Sequence, residues 1–260
     1  MSFRLTYATM YNPPEAMHER FEAALARVEA GLGAQHRLFI DGLDRDAPRY
    51  ALRHSPFDRE LRLGEFGLAD DNDVQTAMGA AQAAGPAWRA MPVAERARLL
   101  HRVGELLEER VYDIAAAMVL AVGKNRMEAL GEEQETVDFF HHYADDFESH
   151  AGYNHVLPDD PVAGFASHNA SVMRPYGVWV VIAPFNFPLA LAGGPVAAAL
   201  VTGNTVVLKG ASDTPWAGRM RADCVRDAGL PPGVFNYLSG AGRDIGDALV
   251  QHPLPAGLTF

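Results

Sequence analysis

The sequence predicts an α/β protein built on a doubly wound parallel sheet, and three observations carry that prediction. From Tyr176 onward, strand and helix patterns alternate strictly. Between Arg174 and Lys209 no residue is charged, as expected where parallel strands and a crossover helix are covered on both sides. The residues able to do chemistry, Asn186, Lys209 and the glycines of 240–246, all follow predicted strands, and ligands of such sheets sit beyond the strands' carboxyl ends.

Each element has its own signal. Residues 13–30 carry an amphipathic helical pattern, 38–42 a short strand and 61–66 a second strand. Residues 70–84 read as a helix with acidic residues at its start, where the helix dipole favours them. One long helix is predicted over 93–122: Leu99, Leu100, Val103, Leu106, Leu107, Val111 and Ile114 recur at helical spacing, and Gly123 can close it. Another helix covers 132–149. Residues 151–173 hold Pro158, Asp159, Asp160, Pro161 and Gly164 between short segments able to pair as a hairpin. Then strands at 178–182, 205–208, 234–238 and 257–260 alternate with helices at 189–201, 215–228 and 244–250. The predicted divisions are a helical extension (1–37), a helical part of a cofactor-binding domain (38–150), a hairpin (151–173) and a nucleotide-binding segment (174–260). The apolar Leu258-Thr259-Phe260 stops inside the last strand pattern, so the chain is expected to be incomplete.

With 22 basic and 33 acidic residues among 260, the net charge of −11 argues against nucleic acid or an anionic membrane as partner. The uncharged stretch after Arg174 is long enough to span a bilayer, but Pro184, Pro188, Gly193, Gly194, Pro195 and Gly203 break it into strand and helix lengths. A single cysteine, Cys224, allows no internal disulfide and fits a reducing, cytoplasmic setting.

Asn186 lies in Ala183-Pro184-Phe185-Asn186-Phe187-Pro188. Its aromatic and proline neighbours predict a rigid, dry surrounding, which suits an amide N–H fixed in advance to meet a developing oxyanion. A turn asparagine satisfying its own backbone fits the same pattern. Lys209 ends an apolar strand, where its ammonium reaches a cofactor ribose or phosphate, or simply water. Together the carboxamide and the ammonium are expected to flank one reacting carbonyl and nucleotide. Gly240, Gly242 and Gly246 form G-x-G-x-x-x-G, one residue off the dinucleotide fingerprint. That spacing suits a helix N-terminus receiving phosphate, and equally an ordinary strand-to-helix loop. Cys224 sits inside a helix and reads as a small buried hydrophobe. Asp138 and His142 share a helix face with His141 and Asp145 nearby, but two ligands make no closed metal site, and none is expected.

Taken together, these segments resemble the aldehyde dehydrogenase superfamily. Residues 182–188 resemble its oxyanion-asparagine motif, Gly203-Asn204-Thr205-Val206-Val207-Leu208-Lys209 its cofactor-lysine strand, and 228–236 its helix-to-strand connection. Phe260 stands where a Phe-Thr-Gly-Ser turn begins. Within the superfamily the sequence is most similar to 1-pyrroline-5-carboxylate (L-glutamate-γ-semialdehyde) dehydrogenases, through the N-terminal extension, Glu135-Thr136-Val137-Asp138-Phe139 with Tyr143, and 234–238 with Ile245-Gly246-Asp247. The resemblance implies a Rossmann-like fold, oxidation of a small aldehyde, NAD or NADP as cofactor, and a homo-oligomer at full length using the hairpin. It implies Asn186 as the catalytic amide and Glu135 beside the substrate's α-ammonium. It places Ile182, Ala183, Pro184 and Phe185, then Lys209, Ala211 and Ser212, then Gly242, Gly246 and Phe260, against the cofactor. The family's cysteine nucleophile and glutamate base follow the point where this sequence stops, so the polypeptide alone is expected to be inactive. A succinate-semialdehyde type of enzyme and a non-catalytic nucleotide-binding fragment are the alternatives.

Two departures stand out. The family's Lys-Pro-x-Glu or Lys-Pro-x-Asp becomes Lys209-Gly210-Ala211-Ser212-Asp213 here. A neutral Ser212 donating to a 2′-phosphate predicts that NADP is accepted, whereas Asp213 turned inward restores NAD preference. His141 replaces an acidic residue common in the subfamily.

Overall fold

A computed structural model describes residues 11–260; the first ten residues of the predicted 1–37 extension lie outside it. In chain order the elements begin with α1 (Glu15–Ala30) and five strands: β1 (Ala34–His36), β2 (Leu38–Ile40), β3 (Leu43–Arg45), β4 (Arg49–His54) and β5 (Arg62–Leu68). Four helices follow: α2 (Asp71–Ala90), α3 (Val93–Glu109), α4 (Val111–Val122) and α5 (Arg126–Ser149). A hairpin of β6 (Asn154–Val156) and β7 (Ala170–Val172) leads to β8 (Val178–Ile182), α6 (Ala190–Val201) and β9 (Thr205–Lys209). The chain then runs through α7 (Pro215–Asp227), β10 (Phe235–Leu238), α8 (Gly242–Val250) and β11 (Pro255–Thr259).

The main sheet has the order β11-β8-β9-β10-β2-β3. β11, β8, β9 and β10 are mutually parallel, and β2 and β3 add an antiparallel edge. The predicted doubly wound parallel sheet is therefore present, with a mixed edge. One face buries Val181, Leu208, Phe235 and Tyr237 against α3, α5, α6 and α7. The other buries Val180, Val207 and Leu238 against α2 and α8. Strand order runs outward from β8 through β9 to β10, then returns to β11 on β8's other side. The topological switch point thus lies between β8 and β11, where such sheets bind ligands.

The N-terminal half differs from expectation in two ways. The single helix predicted over 93–122 is two helices, broken at Arg110 (φ −103, ψ 9), whose N–H closes α3 onto Leu106 and Leu107. Apolar spacing continues on both sides of that one residue, and neither glycine nor proline marks it. The predicted strand at 61–66 belongs to a separate sheet of order β1-β5-β4, whose other strands are half-exposed and were not predicted. α5 begins six residues before its predicted start, because the Asn125 side chain accepts from Met127 N and Glu128 N at 3.0 Å. α2 opens with a capping box in which Asp70 and Asp73 each accept the other's backbone N–H.

Candidate active site

The loops after β8, β9 and β10 meet at the carboxyl edge of the sheet and are joined to one another. Ile182 and Lys209 are register partners, and Ala183 N donates to Lys209 O at 2.9 Å. Gly210 N donates to Leu238 O at 2.8 Å. Thr214 Oγ1 donates to Phe185 O at 3.0 Å, and Ser212 Oγ donates to Gly240 O at 3.1 Å. Ile182, Ala183, Pro184, Phe185, Lys209, Ala211, Ser212 and the start of α8 at Gly242 are therefore brought to one edge. Phe260 follows β11 across the switch point and is exposed.

Lys209 is only 5% exposed, and its Nζ donates to Gly210 O at 3.0 Å. Burial lowers its pKa, with Asp213 opposing. The ammonium thus does not reach bulk water, contrary to one of the two readings of its position. α8 starts without a side-chain cap at Ala241, and a β-carbon at Gly242 or Gly246 would meet nothing within 4 Å. A partly desolvated cation beside an uncapped, unobstructed helix N-terminus suits a phosphate-bearing cofactor. Ser212 departs from expectation: its single hydroxyl hydrogen is engaged by Gly240 O, which leaves its oxygen free to accept rather than donate.

Asn186 departs as well. It is exposed, flanked by exposed Phe185 and Phe187, and its carboxamide makes no hydrogen bond among the described residues. The expected dry surrounding is thus absent among the described residues. Nor do Asn186 and Lys209 flank a single point. The Asn186 loop turns onto the face covered by α6, whereas strand alternation puts Lys209 on the Val207 face, covered by α2 and α8. The two groups straddle the sheet edge, an arrangement that suits the two ends of an extended ligand.

Glu135 lies on the exposed side of α5. The acidic residue that touches the Asn186 segment is Glu132, one turn earlier and buried. Its Oε1 accepts from Leu189 N (2.8 Å) and Ala190 N (3.2 Å), and Lys124 Nζ stands 2.6 Å from its Oε2. Arg221, fully buried on α7, donates to the carbonyls of Pro188 (3.4 Å) and Leu189. Burial brings its pKa down to about 10, with Glu133 and Glu132 opposing. Glu133 is also fully buried; burial pushes its carboxyl well above the usual range, Arg221 opposes, and Glu132 adds to the rise. None of these four residues was singled out from the sequence. The signal available was a charge pair, Glu132-Glu133, on a helix that must pack against uncharged α6.

Cys224 is buried, and burial pushes its thiol up to about 12, Glu133 adding and Arg110 opposing. A thiol so placed is no nucleophile. His141 meets His101 rather than His142, Nδ1 to Nδ1 at 2.9 Å, and Asp145 pairs with His101 Nε2 at 3.1 Å. Among the described residues no group of three or more His, Cys, Asp or Glu can hold a metal, and no helix is long and apolar enough to cross a membrane. A cavity of about 510 Å³ lies away from this edge against Trp179, Tyr143, Phe147 and Pro195.

Residues 45–260 match the aldehyde dehydrogenase family. This chain belongs to that family. It is 35% identical over 246 residues to a 1-pyrroline-5-carboxylate dehydrogenase of Geobacillus sp. (strain WCH70), covering 95% of this chain and 47% of that relative. Among solved structures it resembles 1-pyrroline-5-carboxylate dehydrogenase from Thermus with bound NAD (TM-score 0.87, 31% identity, 97% of this chain and 48% of that one). It also resembles the NADP-dependent glyceraldehyde-3-phosphate dehydrogenase of Bacillus halodurans C-125 complexed with NADP (TM-score 0.81, 32% identity, 87% and 48%). The chain thus spans about half the length of the curated relatives it matches. Its parallel sheet with crossover helices is the Rossmann-like fold of these structural neighbours.

Proposed function

We propose that these residues form the cofactor-binding and oxyanion-stabilising half of an NAD(P)-dependent dehydrogenase that oxidises L-glutamate γ-semialdehyde. The observation that carries the reading is the placing of a free carboxamide at Asn186 and the desolvated ammonium of Lys209 on the two faces of one sheet edge, beside the switch point. Lys209, Ser212 and the backbone at Ala211, Gly242 and Gly246 hold the nucleotide, with Ile182, Ala183, Pro184 and Phe185 beneath it and Phe260 across the switch point. The cofactor, when bound, supplies a hydride acceptor. Asn186 donates its amide N–H to the substrate oxygen as negative charge develops there. Glu135, on the open side of α5, meets the substrate's α-ammonium.

The likeness to 1-pyrroline-5-carboxylate dehydrogenases supports the substrate class. With Cys224 buried and its thiol raised to about 12, the 260-residue polypeptide lacks a competent nucleophile and serves as a nucleotide-binding part of a larger enzyme. The exposed apolar residues of the 151–173 segment, Val156, Phe165 and Val172, suit contact with a second subunit in that enzyme.

The purified 260-residue chain is expected to bind NAD or NADP and to reduce neither with any aldehyde; turnover that survives Cys224→Ala would overturn the role assignments. In a full-length enzyme carrying these residues, kcat/KM is expected to favour L-glutamate γ-semialdehyde over succinate semialdehyde. The reverse order would reject the substrate.

A further inference from the structure

The segment that presents Asn186 is gripped from three directions, and none of the gripping groups belongs to it. α6 begins at Ala190 with Leu189 as its N-cap residue, which makes no side-chain cap. Its first turn, Ala190-Leu191-Ala192-Gly193, contains no residue able to supply one. The orphan N–H groups of Leu189 and Ala190 are instead met by the Glu132 carboxylate, contributed by α5 from 57 residues earlier. A carboxylate there also suits the positive end of the helix. Glu132 is buried, and Lys124 at 2.6 Å supplies the opposite charge that a buried carboxylate needs. The same Lys124 ammonium lies 3.4 Å from the centroid of the Phe187 ring. From α7, Arg221 holds the carbonyls of Pro188 and Leu189, and Thr214, just before α7, holds the carbonyl of Phe185.

Phe185, Phe187, Pro188 and Leu189 are thus each fixed, while the carboxamide between them is left without a partner. An exposed loop with no further purpose would need no buried charge pair beneath it. Preorganised dipoles are what oxyanion stabilisation requires, because a donor that must first be ordered contributes less at the moment of reaction.

We propose that Glu132, Lys124 and Arg221 are positioning residues that hold the Asn186 backbone rigid. The proposal rests on the reading of Asn186 as the oxyanion group for its purpose, but not for its test. ¹⁵N relaxation on the deuterated 260-residue chain reads the backbone order parameter at Asn186, with Asn236 in β10 as internal reference. Unaltered, Asn186 is expected near ~0.85, the value of rigid backbone. Glu132→Ala is expected to bring it below ~0.6 while Asn236 is unchanged. Glu132→Gln keeps an acceptor for the two N–H groups and is expected to restore most of that order. Lys124→Met, which removes the counter-charge and the ammonium over Phe187, is expected to lower it part of the way.

An Asn186 already below ~0.6 in the unaltered chain would overturn the proposal, as would a value unchanged in both Glu132→Ala and Lys124→Met. Should Glu132→Ala fail to fold, as loss of the Asn236 signal would reveal, Lys124→Met alone decides by the same criterion. Asn186→Ala with unchanged kcat in a full-length enzyme would remove the oxyanion role and leave the positioning result standing.

Discussion

The Tyr237 hydroxyl occupies the space that a side chain at position 210 would need. A β-carbon on Gly210 would stand 2.6 Å from that oxygen and 2.8 Å from Cε2 of the ring, and one on Gly218 would stand 2.6 Å from Cε2. The ring is buried and its hydroxyl donates to Pro215 O at 2.6 Å, so it has nowhere to go. A proline at position 210 would likewise meet Tyr237 and would also lose the N–H that Gly210 gives to Leu238 O.

Gly210→Ala is therefore expected to destabilise the chain by about 2 kcal/mol, the scale of overpacking a filled core. Urea denaturation measures it. Tyr237→Leu, destabilising by itself, is expected to relieve part of that loss in the double variant, so the two changes couple. Strict additivity would mean that the ring does not set the glycine.

The strands that build the edge were legible because β8, β9 and β10 are short runs, uncharged but for the closing Lys209, bounded by glycine and asparagine or proline. Such runs have few alternatives once crossover helices lie between them. Asn186 and Lys209 were legible as lone polar groups in apolar surroundings. The choice between Glu132 and Glu135 was not. Both lie on one helix three positions apart, and only contact with Leu189 and Lys124, remote in sequence from one another, buries the first and leaves the second in solvent. The engagement of Ser212 by Gly240 was hidden for the same reason. Sequence gives the hydroxyl but not the carbonyl that comes to face it.

Cys224 supplies a second test. A thiol raised to about 12 holds roughly a thousandth of the thiolate of an ordinary cysteine at neutral pH. Labelling by a disulfide reagent at pH 7 is expected to be at least ~1000-fold slower in the native chain than in urea. Comparable rates would mean that α7 opens readily or that the thiol is not buried as described.

His36 predicts the response to acid. Burial, with Arg219 adding, lowers its pKa from 6.5 to about 4, and its ring stacks on Phe66 at 4.5 Å. The unfolded chain therefore takes up this proton at higher pH than the folded one. Stability falls as pH drops below about 6.5, and the contribution levels off near 4. Between pH 7 and pH 5 the loss from this residue is about 2 kcal/mol. His36→Phe, which keeps the stack, is expected to reduce the measured difference in unfolding free energy between those two pH values by that amount. Burial also lowers the His141 pKa, but His141 is present in both proteins and cancels. An unchanged difference would reject the half-buried, neutral His36.

Cofactor choice turns on a single hydrogen. Ser212 donates it to Gly240 O at 3.1 Å, and that bond ties the loop after β9 to the loop after β10. A 2′-phosphate brings acceptors only, so it would have to break this bond to gain a donor. The ribose hydroxyls of NAD bring donors and meet the free lone pairs of the serine oxygen without disturbing the loop. Lys209 attracts either cofactor, since its ammonium has only Gly210 O as acceptor among the described residues. The 260-residue chain is thus expected to bind NAD at least as tightly as NADP. Ser212→Glu sets a carboxylate against the 2′-phosphate and is expected to raise the ratio of the NADP Kd to the NAD Kd about tenfold or more. Lys209→Met should weaken both and leave the ratio nearly constant. Titration calorimetry with the two nucleotides reads all three outcomes. A ratio that Ser212→Glu leaves unmoved would show that position 212 does not face the ribose.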